Sequence, residues 1–263
     1  MKFRHTLVAA SLAALAFVSA PASATVTVTI SNIVGSWQNA TPAGMTIVNG
    51  NPTSTISWGD PAFPNTSQSA YQFTALGPLN ITLLPPVSSG PELFGDFEHL
   101  NFPIFAPFLQ TVELKVTADI TVDGTPEGNK TFLFDFTHDE TPNGGPPGGP
   151  FPPTPACPFG GNNGQGVNIN GCADHVTVTN SNSSQTFTVN GVQYTLSFLG
   201  FSQDGGITTT PDFLTIENDV NLAGLYASVT TAQVPTAPEP GSLALVGLAA
   251  LGVAGALRRR SQK

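Results

Sequence analysis

Positive charge is what this sequence has least of. Between residues 25 and 237 only Lys115 and Lys130 are basic, against sixteen Asp and Glu residues. The formal charge of that stretch is therefore −14, more extreme than the −9 of the whole chain. Such a surface repels phosphate backbones and anionic headgroups, which excludes nucleic acid as a partner. It leaves room for divalent cations, for cationic polymers, or simply for solubility. Cysteine is almost as scarce, with only Cys157 and Cys172. Two cysteines alone make a poor zinc site, and neither sits in a catalytic context. No HExxH, EF-hand or GxSxG pattern occurs, so the enzyme classes those patterns mark have no support. No window between residues 25 and 237 sustains an apolar period of 3.6, which argues against a helical fold.

The two ends carry what the middle lacks. Lys2 and Arg4 precede an apolar run from Leu7 to Val18, and Ala22-Ser23-Ala24 follows. Basic, apolar and small residues in that order read as a secretory signal peptide over 1–24, cleaved after Ala24. At the other end, residues 242–257 are all apolar or small, followed by Arg258, Arg259 and Arg260. The run is slightly shorter than the roughly 20 residues a membrane-crossing helix needs. Flanking arginines make up the difference by snorkelling, and they mark the cytoplasmic side. A transmembrane helix here serves as a tether. Pro238 and Pro240 keep the tripeptide Pro238-Glu239-Pro240 out of that helix, extended and open to an enzyme.

This tripeptide, apolar helix and arginine cluster resemble the PEP-CTERM sorting signal of Gram-negative bacteria. The resemblance covers residues 238–263 and implies a partner, a membrane-embedded exosortase that recognises Pro-Glu-Pro and cleaves near it. By analogy with a GPI signal, the tail is then absent from the mature protein. The implied route is an inner-membrane-anchored precursor that passes to the cell surface or extracellular matrix.

Between the ends, β-branched and polar residues alternate in short runs broken by turn residues. Strands are expected at 25–30, 55–58, 70–74, 80–84, 112–122, 130–138, 176–178, 186–189, 192–201, 213–217 and 225–230. Asn190-Gly191 is the best hairpin signal, because both residues accept the positive φ of a type I′ turn. About a dozen short strands over 25–230 predict an all-β ectodomain, an antiparallel and jelly-roll-like β-sandwich. Residues 231–237 read as a linker. One stretch, 141–172, is irregular and begins dense in Pro and Gly. In an exported chain Cys157 and Cys172 are expected to close a disulfide within it, stabilising by about 3 kcal/mol.

The sharpest internal feature is a quasi-repeat. Asp96-Phe97-Glu98-His99-Leu100-Asn101-Phe102-Pro103 aligns with Asp135-Phe136-Thr137-His138-Asp139-Glu140-Thr141-Pro142. In each copy Phe and His lie two apart and share a strand face, and Pro ends the ladder. Three readings compete. His99, His138 and Glu140 are candidate ligands for a divalent cation, with neighbouring carboxylates orienting the imidazoles. Glu98, Asp139, Glu140 or Asp174 are candidates for the acid–base pair of a glycoside-cleaving site. Alternatively the histidines are structural corners, bonded to loop carbonyls. Trp37, Trp58, Tyr71 and Tyr194 offer a carbohydrate-stacking face, although aromatics at strand spacing are more often core.

With Trp37, Ser57-Trp58-Gly59-Asp60-Pro61, the two His copies, Thr141-Pro142-Asn143 and Cys172-Ala173-Asp174, the ectodomain resembles the THxN group of PEP-CTERM proteins. Glu98-His99-Leu100-Asn101 lacks the Thr of that signature and Thr137-His138-Asp139-Glu140 lacks the Asn, so which copy carries it stays open. The resemblance implies a sorted surface protein with no defined activity and no required cofactor. It points to a role in exopolysaccharide or biofilm matrix. The alternatives are a carbohydrate-active enzyme and a metal-dependent carbohydrate-binding module.

Overall fold

A computed structural model describes residues 24–64, 66–143, 156–180 and 184–234. The expected signal peptide up to residue 23, with Ala22, the Pro- and Gly-rich stretch 144–155, and the sorting segment with its expected membrane helix lie outside the described residues. Among the described residues, all-β structure is what the alternation dictates. In β9 (Thr111–Val122) every second side chain, Val112, Leu114, Val116, Ala118, Ile120 and Val122, is buried while those between are half-buried or exposed. That period of two is the signature of a strand with one face on a core.

Two antiparallel sheets result. One has six strands in the order β14 (Asp212–Thr215), β11 (Asp174–Asn180), β10 (Thr125–Asp139), β9, β1 (Val26–Thr41) and β6 (Leu79–Leu83). The other has seven: β12 (Ser184–Val189), β13 (Val192–Ser202), β15 (Asp219–Gln233), β7 (Glu92–Asn101), β5 (Ser69–Ala75), β3 (Thr53–Trp58) and β2 (Thr46–Val48). A short ladder of β4 (Asp60–Pro61) and β8 (Ile104–Phe105) closes one end. The inner faces of the two sheets share a single hydrophobic core, so the architecture is a β-sandwich. Among the described residues no helix is long and apolar enough to cross a membrane.

The expected strands appear, with informative differences. The Asn190-Gly191 turn joins Val189 to Val192, both turn residues having positive φ. Asp123-Gly124 does the same between β9 and β10. The first strand, expected to stop at residue 30, runs to Thr41. Asn32 and Asn39 adopt positive φ where the register shifts, so two bulges carry the strand past residues that would otherwise end it. β7 extends ten residues and is central, pairing with both β5 and β15. Only its end was legible, because Gly95 interrupts the alternation. An added Cβ there would lie 2.2 Å from the Phe73 ring, so glycine is what lets that ring lie on the strand. The last strand continues to Gln233, three residues into the expected linker.

Candidate functional site

The quasi-repeat is a structural pair. One copy lies on β7 and the other on β10, in facing sheets. Phe97 stacks on Phe136 with ring centroids 5.3 Å apart, and His99 meets His138 edge-on at 5.2 Å. Each histidine is inward because it shares strand parity with its phenylalanine. The odd-numbered β7 residues Phe97, His99 and Asn101 are buried, so Glu98 points the other way, out of the seven-stranded sheet. Asp139 is exposed on the outer face of the six-stranded sheet. Glu98 and Asp139 therefore lie on opposite outer faces, and neither reaches the cluster that Glu140 joins. The four aromatics of the supposed stacking face are core residues, each at most 2 % exposed. Trp58 and Tyr71 instead wall the histidines, their rings 4.8–5.7 Å from each other and from both imidazoles.

Neither inward histidine bonds a loop carbonyl. His138 Nδ1 meets the Tyr71 hydroxyl at 2.6 Å, and its Nε2 meets Glu140 Oε2 at 3.0 Å. Asp174 Oδ2 lies 3.9 Å from the same nitrogen. His99 Nδ1 meets the Thr215 hydroxyl at 2.9 Å. That hydroxyl donates to the Asp174 main-chain carbonyl at 3.4 Å, so its lone pairs accept from His99 and from the Asn101 amide. This network assigns the His99 proton to Nδ1 and leaves Nε2 as a bare lone pair. His99 Nε2 indeed has no partner, and neither do Asp174 Oδ2, Glu140 Oε1 and Glu217 Oε1. The indole N–H of Trp58 falls short of hydrogen-bond geometry, although its proximity still favours the charged form of Glu140.

The disulfide expected between Cys157 and Cys172 is formed. It anchors the segment that delivers Asp174. Thr141 donates its hydroxyl to the Cys172 carbonyl at 2.6 Å and its main-chain N–H to Asp174 Oδ1 at 2.7 Å. Those two bonds tie the end of the second His copy to the cysteine loop. The third histidine, His175, faces outward between Asp139 and Asp212 and takes no part in the cluster.

Burial dominates the electrostatics. It pushes Glu140 up to about 8, Asp174 to about 7 and Glu217 to about 10, their mutual repulsion adding to the last two. His138 and Thr141 pull Asp174 partly back. Burial, with His138 nearby, holds His99 well below the usual imidazole range, and burial also lowers His138 against the pull of Asp174 and Asp139. Burial thus disfavours charge on both inward histidines and on the three carboxyl groups beside them. Asp174 was among the acidic residues the sequence singled out; Glu217 was not. Its one signal was parity, since Phe213, Thr215 and Glu217 alternate inward along one strand and its extension.

The candidate processing residues Pro238, Glu239, Pro240, Arg258, Arg259 and Arg260 lie beyond the described residues, but they are recognisable by family. Residues 236–260 match the PEP-CTERM protein-sorting motif. The match supports processing of the chain by an exosortase. On that route it is exported as a membrane-anchored precursor bound for the cell surface. The motif covers the sorting segment and says nothing of the sandwich. Comparison of the chain with curated proteins finds no match.

Proposed function

We propose that this protein is a non-catalytic, surface-exposed module of the cell envelope or extracellular matrix, of the THxN type, associated with exopolysaccharide. The observation that carries the reading is the position of the sorting motif. It begins at residue 236, three residues past the end of the last sandwich strand at Gln233. An exosortase cut near Pro238-Glu239-Pro240 therefore releases or re-attaches a folded sandwich with almost nothing trailing it. The acidic surface supports a matrix role, since it stays soluble and extended from other anionic polymers unless cations bridge them. Burial of the ionisable cluster supports a structural rather than a catalytic use of those groups.

The test is the intact mass of the protein recovered from the cell surface. The expected mature chain begins after Ala24 and lacks Arg258–Arg260. A double substitution of Pro238 and Glu239 by Ala leaves full-length precursor in the inner membrane. A surface protein that keeps its last residues turns the motif into an ordinary membrane tail. Incubating the surface protein with the organism's own exopolysaccharide is expected to show retention without release of reducing ends. Release of reducing ends defeats the non-catalytic assignment.

A further inference from the structure

We propose that His99, His138, Asp174 and Glu140 form a buried site for one divalent transition-metal ion of the zinc class, and that this ion fastens the two sheets together. The ligand-capable atoms of His99, His138 and Asp174 all lie within 4.8 Å of one another. Those of Glu140, Asp174 and Glu217 do as well, so Asp174 sits at the junction of the two groups. Ligands about 2.0–2.2 Å from zinc stand about 3.4 Å apart in a tetrahedron, so His99, His138 and Asp174 draw in by up to about 1.4 Å, with Glu140 joining through its position 3.0 Å from His138 Nε2.

Three further observations point to an ion. The first is unmet bonding capacity. His99 Nε2 is buried with no hydrogen-bond partner, and Asp174 Oδ2 has only His138 Nε2 at 3.9 Å; leaving such atoms unmet is costly. The second is orientation. Each imidazole is gripped at Nδ1 by a hydroxyl, Tyr71 for His138 and Thr215 for His99, with Nε2 turned into the cluster. His99 is held as metal-binding histidines are, its Nδ1–H donated to Thr215 so that Nε2 presents a lone pair; His138 matches it in the tautomer whose Nδ1–H donates to the Tyr71 oxygen, the proton on its other side then belonging to Glu140. The proton between His138 Nε2 and Glu140 Oε2 is the one an ion displaces. The third is charge. The carboxyl groups have no buried cationic side chain beside them among the described residues, because Lys115 and Lys130 sit at outward positions of β9 and β10.

The donor set selects the ion. Calcium and magnesium take oxygen ligands, whereas paired imidazoles with carboxylates suit zinc and its neighbours. A site supplied with four protein ligands and walled by Trp58 and Tyr71 is of the closed, structural kind. His99 comes from the seven-stranded sheet, while His138 and Asp174 come from the six-stranded one, so one ion bridges both. Glu217 lies beside Asp174 and Glu140 and outside the group that holds the two histidines.

The experiment uses the mature protein as its host exports it, purified without metal-affinity steps or chelators. Elemental analysis is expected to give about one equivalent of zinc or a neighbouring metal. Chelation lowers the melting temperature; Zn²⁺ restores it and Ca²⁺ does not. Replacing the ion with Co²⁺ gives the visible bands of a four-coordinate nitrogen–oxygen site. His99→Ala risks misfolding, so the decisive variant is Asp174→Asn, which keeps shape and loses a charged ligand. It is expected to keep its β-sheet circular dichroism, lose the cobalt bands and weaken zinc at least 100-fold. A protein that carries no metal, gives no cobalt bands and melts identically in chelator overturns the proposal. Stabilisation by Ca²⁺ alone overturns the choice of ion. A second equivalent, lost in Glu217→Gln, overturns the single-ion assignment.

Discussion

At the scale of single residues, the consequential groups are those that orient others. The Tyr71 hydroxyl oxygen meets His138 Nδ1 at 2.6 Å. Tyr71→Phe keeps the ring packing and removes only that bond. It is expected to weaken zinc binding 10- to 100-fold with a small change in the metal-free melt, read by competition with a chromogenic chelator. A different carboxylate reports on pH. Asp204 accepts from the Thr208 hydroxyl at 2.6 Å, the Thr208 N–H at 3.0 Å and the Ser202 hydroxyl at 2.7 Å. These bonds favour its charged form and draw it from 3.8 down to about 2. A depressed carboxyl stabilises the fold above its unfolded value and loses that contribution as pH falls through the folded one. NMR titration is expected to find Asp204 still ionised at pH 3, and Asp204→Asn to flatten the acid limb of the stability curve between pH 4 and about 2.

At the scale of elements, two features set how strands and loops meet the site. Gly35 and Gly95 lie on either side of Phe73, where an added Cβ would fall 2.1 and 2.2 Å from its ring. Gly95→Ala is expected to cost about 1–3 kcal/mol in urea unfolding, because the ring is fully buried and has nowhere to retreat. The disulfide is the second feature. Its reduction frees a loop spanning 15 residues and should cost about 3 kcal/mol. It also releases Asp174, two residues from Cys172. Cys157→Ser with Cys172→Ser is therefore expected to lose metal affinity as well as stability, which elemental analysis of the double variant measures directly.

At the scale of the whole molecule, two sheets are joined mainly by apolar contact, with an aromatic seam from Trp37 through Phe97 and Phe136 to Phe201 and Phe213. The polar cluster lies at one end of that seam, where the inward face changes from Phe97 to His99 and from Phe136 to His138. At that end His99, His138, Asp174 and Glu217 are buried where the rest of the seam is apolar. The chain thus reaches the envelope as a compact acidic body whose exit signal begins almost at its last strand.

The sequence by itself determined whatever depends on neighbours along the chain. Alternation in β9 and β10 made the fold all-β, Asn190-Gly191 placed a hairpin, and Pro238-Glu239-Pro240 with its arginines marked the sorting segment. Strand parity even told that His99 and His138 face the same way as Phe97 and Phe136. Only the tertiary structure decided that these two pairs face each other, that Glu98 looks outward, and that Asp174 and Glu217 join the cluster. Parity is a property of a single strand. Which strand lies opposite which follows from sheet order and register, and those are settled by packing between residues far apart in the chain.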